Sequence, residues 1–140
     1  MRFFFDNNIT PKIVRVLRVL DERDLAPNLV HLRDRFPADV ADPQWIRQLG
    51  GEGDWVIVSG DRRISRSPPE RAAWLESGLT AFFFGDAWTN RHLYDQAAEM
   101  IAAWRDIVRH AHQASAGAGF SVAAGSGVIK QIYPRMADSE

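Results

Sequence analysis

The chain has 140 residues, 46% of them apolar and 25% charged, with a formal net charge of −1 and no cysteine. One domain fits that length, and it would bury roughly 68% of the surface its unfolded chain exposes. The composition excludes a disulfide framework or thiolate metal site and a surface coated in basic residues for non-specific duplex binding, though not a local basic face.

Arg2 to Phe5 form one charge followed by an unbroken apolar run, as expected of a strand covered on both faces. Asp6 marks its end. Thr10 and Pro11 then open a helix as N-cap and first helical residue, with Ile13, Val14, Leu17 and Leu20 on its apolar face. Pro27 and Asn28 read as a turn, residues 29–32 as a second strand, and residues 33–41 as a loop. Asp42 and Pro43 open a short helix through Leu49 that Gly50 and Gly51 are expected to end.

Residues 55–59 (WVIVS) are the clearest strand, closed by Gly60 and Asp61. Ser67, Pro68 and Pro69 start another helix that Gly78 ends, and residues 79–84 give a fourth strand. A long helix follows over about 90–110, with Leu93, Ala97, Met100, Ile101, Trp104 and Ile107 mostly inward. Residues 114–119 are a small-residue linker. Beyond it, two short runs flank Gly125 to Gly127 and are expected to pair as a hairpin.

This order predicts an α/β domain over residues 1–112, with a parallel central sheet between helical layers, and a C-terminal extension over 113–140. The apolar residues of the extension, Phe120, Val122, Val128, Ile129 and Ile132, need burial against the domain, a second copy or another protein. No apolar leader opens the sequence and no window approaches 18 uninterrupted apolar residues, so the expected location is cytoplasmic, with no membrane partner.

Asp6 and Asp61 end the first and third strands, and Asp42 begins the helix leading to the third. In a parallel sheet these positions share one edge, so the three carboxylates are expected to converge on one cleft. Each also has a purely structural role open to it: Asp42 as an N-cap, Asp61 as a turn residue or ion-pair partner, Asp6 in an Asx-type turn. Three carboxylates in one cleft repel one another unless a cation neutralises them, and hard oxygen ligands suit Mg²⁺ or Mn²⁺. Arg62 and Arg63 adjoin Asp61 and are candidate phosphate contacts, as are Lys12 and Arg15 on the first helix. Trp88 is the one tryptophan expected in a loop at this edge, where it could stack on a base.

The segments FFFDNNI (3–9), DPQWI (42–46), VIVSGDR (56–62) and GLTAFFF (78–84) together resemble the PIN-like domains, a superfamily of metal-dependent nucleases that includes the VapC-type toxins. The resemblance spans about residues 1–110 and is closest to the compact VapC-like branch. It implies a three-layer sandwich and a ribonuclease in which Asp6, Asp42 and Asp61 are catalytic and hold Mg²⁺ or Mn²⁺. Ser59 would support the site, an antitoxin protein would be the partner, and a homodimer is a further expectation. Many PIN domains have a fourth acid soon after the third. Here the chain offers arginines until Glu70, which leaves Asp86 as the candidate, while Asn7 is placed to orient Asp6 or a bound water.

Two other readings compete. A non-catalytic PIN-like domain would bind RNA or protein without cleaving. A phosphoacceptor receiver domain also places acids around Mg²⁺, but it calls for adjacent acids after the first strand, where this chain has Asn7 and Asn8.

Overall fold

The computed structural model describes residues 1–21 and 28–135. The turn expected at Pro27 lies outside the described residues. Six strands form one sheet: β1 (Arg2–Phe5), β2 (Asn28–His31), β3 (Trp55–Ser59), β4 (Thr80–Phe83), β5 (Gly119–Val122) and β6 (Ile129–Tyr133). Their spatial order is β2-β1-β3-β4-β5-β6, parallel from β2 through β5, with β6 antiparallel to β5. Seven helices accompany them among the described residues: α1 (Pro11–Leu20), α2 (Leu32–Arg35), α3 (Asp42–Glu52), α4 (Arg63–Arg66), α5 (Pro68–Ser77), α6 (Asp86–Thr89) and α7 (Leu93–Gln113).

Alternation along β1 explains its unbroken apolar run. Phe3 and Phe5 face one core, shared with Ile13 and Leu17 of α1 and with Trp104 and Ile107 of α7. Phe4 faces the other, with Trp45 and Leu49 of α3 and Trp74 of α5. A strand residue on either side therefore meets a helix, and no polar face is left to the strand. The result is a three-layer α/β sandwich. The C-terminal hairpin extends the same sheet: Phe120 and Val122 of β5 are buried in the first core, while Val128 stays exposed.

Three local expectations are corrected. Residues 32–35 are helical, because His31 and Asp34 form a reciprocal cap: the His31 side chain accepts from the Arg33 amide, and Asp34 accepts from the His31 amide. Gly50 and Gly51 do not end α3, which runs on to Glu52 and stops at Gly53 (φ 75°). A Cβ on Gly50 would stand 2.9 Å from the Ser77 Cβ, so the glycine allows α3 to lie close against α5. Trp88 is not a loop platform; it lies in α6, fully buried against Phe84 at 4.7 Å, with its indole N–H donated to the Gln96 carbonyl. On α7, Leu93 and Ile101 are exposed, while Met100, Trp104 and Ile107 are buried.

Gly119 supplies a test of how tightly the extension is built in. A Cβ there would meet the Trp74 ring at 2.5 Å, and Trp74 is pinned by its indole bond to the Leu79 carbonyl at 2.7 Å. Gly119→Ala is therefore expected to destabilise the protein by about 1–3 kcal/mol, as overpacking does. Urea unfolding measures it; a midpoint matching wild type would mean that β5 is not held against Trp74.

Candidate active site

The strand order 2-1-3-4-5 reverses direction between β1 and β3, and in open α/β sheets ligands sit at that switch point, outside the C-terminal strand ends. Asp6 leaves β1 at that point, 4% exposed, and its amide donates to the Val58 carbonyl of β3. One carboxylate oxygen accepts from the Asn7 amide at 2.5 Å, the other from the Ser59 hydroxyl at 2.9 Å. Ser59 Oγ also lies 3.1 Å from the Asp61 carbonyl, but a hydroxyl has one proton to donate, and the carboxylate is the stronger acceptor. Burial pushes the Asp6 carboxyl up to about 6. Repulsion from Asp42 adds to the rise and Asp61 adds less, against the Asn7 and Ser59 hydrogen bonds.

Asp42 is the first residue of α3, after Ala41 as N-cap, and Pro43 follows it. Its Oδ1 accepts the indole N–H of Trp45 at 3.0 Å, which ties the carboxylate to a fully buried ring. Asp6 and Asp42 line one cleft of about 450 Å³ together with Asn7, Asn8, Arg63 and Glu70. Glu70 Oε2 is buried there without a hydrogen-bond partner.

Asp61 does not line this cleft. It lines a second cleft, of about 560 Å³, with Arg62, Arg63, Arg66 and Asp86. Both of its oxygens are engaged by Arg63, Oδ1 by the amide at 2.8 Å and Oδ2 by Nε at 2.5 Å. Arg63 borders both clefts, and Asp61, Asp42 and Asp6 all stabilise its charge, Asp61 most.

The other expected residues are placed as follows. Asn7 does turn its backbone N–H to Asp6, but its side chain is spent on the Ala38 carbonyl and on Arg33. Asp86 faces the second cleft rather than the Asp6–Asp42 pair. Lys12 and Arg15 are exposed on α1 and line neither cleft. His31 is a buried structural residue, its Nε2 2.6 Å from the Ile9 carbonyl.

Sequence reasoning missed Asn8, whose side-chain oxygen accepts from the Gly60 amide and joins the tips of β1 and β3. It also passed over Glu70 as a site residue, although the first turn of a helix starting at the same edge was the signal for it.

A family model described as "PIN like domain" matches residues 1–86. The chain belongs to the PIN-like domain family. No curated protein and no solved structure matches it. The matched span of this PIN-like domain contains Asp6, Asp42, Asp61 and Glu70, and ends at Asp86. Nucleases of this family generally use divalent metals. The donors here fit such a group in kind: all are carboxylate oxygens, which suit a hard cation, and one oxygen of Glu70 is buried without a partner. In arrangement they are not yet gathered. Among the described residues, no three His, Cys, Asp or Glu side chains stand close enough to hold a metal ion, and Asp61 is turned to Arg63. Among those residues, too, no helix is long and apolar enough to cross a membrane.

Proposed function

We propose that this PIN-like domain is a metal-dependent ribonuclease acting as the toxin of a toxin–antitoxin pair, with an antitoxin protein as its partner. The observation that carries the hydrolytic reading is Asp6: a carboxyl buried at the sheet's switch point, beside Asp42, in an open cleft. Burying a carboxylate next to another is costly, and such costs concentrate where a site has chemistry to perform. Asp6 and Asp42 would hold Mg²⁺ or Mn²⁺, with Asp61 joining on release from Arg63. The bound ion would supply a nucleophilic water and stabilise charge on a phosphodiester. Ser59 keeps Asp6 oriented, and Trp45 does the same for Asp42.

A second reading, a non-catalytic domain that binds RNA or protein, is favoured by the closed Asp61–Arg63 pair. Purified protein incubated with a mixed RNA pool separates the two. The ribonuclease reading expects cleavage with Mn²⁺ or Mg²⁺, none in chelator, and about 10- to 100-fold slower cleavage by Asp61→Asn. Cleavage indifferent to chelator would overturn the metal site; RNA binding with no cleavage under any metal would favour the second reading.

A further inference from the structure

The second cleft contains a cation that makes no ion pair among the described residues. Arg62 is partly buried, its Nε fully so, and Nε has no hydrogen-bond partner. Among the described residues its guanidinium makes no ion pair, and neither does that of Arg66 in the same cleft. The acids facing them are Asp61, engaged by Arg63, and Asp86, exposed at the start of α6. The Arg62 stem passes over Gly85 (φ 87°): a Cβ there would lie 3.6 Å from the Arg62 Cγ. Two cations lining one cleft repel each other, and an anion between them would relieve the pair.

We infer that Arg62 and Arg66 form a phosphate subsite that holds the RNA backbone beside the scissile phosphate. This rests on the ribonuclease reading for the position of the scissile bond. Arg63 lines both clefts, so a strand whose reacting phosphate lay between Asp6 and Asp42 would reach the arginine cleft by crossing Arg63. Guanidinium forks match phosphate oxygens in geometry and charge, and the unpaired Nε of Arg62 is one such donor. Backbone phosphate is common to every nucleotide, so the subsite fixes strand position without reading sequence.

The test is binding of a short fluorescein-labelled RNA to the whole protein in chelator, by anisotropy, over a range of salt. Arg62→Gln keeps most of the buried stem, Arg66→Ala changes an exposed side chain, and Arg47→Ala, on the exposed face of α3, is the control. Circular dichroism melts confirm that each variant folds. Each of the first two is expected to bind about fivefold more weakly, with the slope of log K against log salt falling by about 0.7 per arginine removed. The control should bind as wild type, and DNA of the same sequence should show the same losses. Unchanged affinity and slope in both variants, losses confined to RNA, or no RNA binding by wild type would each overturn the subsite. The ribonuclease reading fails separately: losses as expected with no cleavage under any metal would leave the subsite standing without it.

Discussion

Asp6→Asn is expected to give a protein that is both more stable without metal and at least about 100-fold slower at cleaving RNA. The stability gain follows from the carboxyl's position. Its pKa rises from the ordinary 3.8 to about 6, chiefly through burial and next through Asp42. Ionising it in the fold is thus about 3 kcal/mol less favourable than in the unfolded chain. The folded state holds this proton longer, so the wild type loses stability as pH climbs from about 3.8 to 6, and the loss is complete above 6. A neutral amide never incurs it. Asparagine also finds its partners: the oxygen keeps the Asn7 amide, and the NH₂ donates to Ser59 Oγ, whose proton swings to the Asp61 carbonyl.

Thermal melts in chelator check the first half. Asp6→Asn should exceed wild type by roughly 10 °C at pH 8 and match it near pH 4. A variant less stable than wild type at pH 8 would show that the carboxylate is held favourably, which removes the argument for a site under electrostatic strain. Stability gained where activity is lost is the trade-off expected of a functional group.

The parts of this fold legible in the sequence were those in which local pattern and tertiary environment agree. The run at residues 3–5 reads as a two-faced strand because helices do cover both faces. Thr10 and Pro11 open α1 through a local hydrogen bond, from the Lys12 amide to the Thr10 hydroxyl. Where distant contacts decide, the pattern fails. Glycines that signal a helix end instead let α3 close on Ser77, and Trp88 is drawn inward by Phe84.

The site divides in the same way. Strand ends and helix starts place Asp6, Asp42 and Asp61 at one edge, and topology alone carries that far. Where Asp61 turns depends on its pairing with Arg63 two residues on, which no periodicity encodes. The separation of an acidic from a basic cleft likewise arises only when Arg62 and Arg66 meet Phe84, Gly85 and Asp86 in the folded chain.

Trp45 joins the core to the chemistry, and two substitutions separate its roles. The ring is fully buried and stacks on Phe4 at 4.9 Å, so Trp45→Ala should destabilise the protein by about 3–5 kcal/mol. Trp45→Phe keeps an aromatic ring in that layer and should fold, at a smaller loss. It deletes the indole N–H, however, which donates to Asp42 Oδ1 at 3.0 Å. Asp42 stands at the first turn of α3, and no other side-chain hydrogen bond orients its carboxylate among the described residues. Freed of that bond, it samples other rotamers, and a ligand held loosely binds a cation less well. Mn²⁺ affinity, measured by titration calorimetry on folded protein, is therefore expected to fall about 10- to 100-fold in Trp45→Phe, the range for loss of a supporting hydrogen bond. Affinity equal to wild type in a folded variant would mean that Asp42 is oriented by the helix alone or does not bind the metal, and Asp42→Asn tells these apart. A further loss of affinity keeps Asp42 as a ligand; no loss removes it from the site.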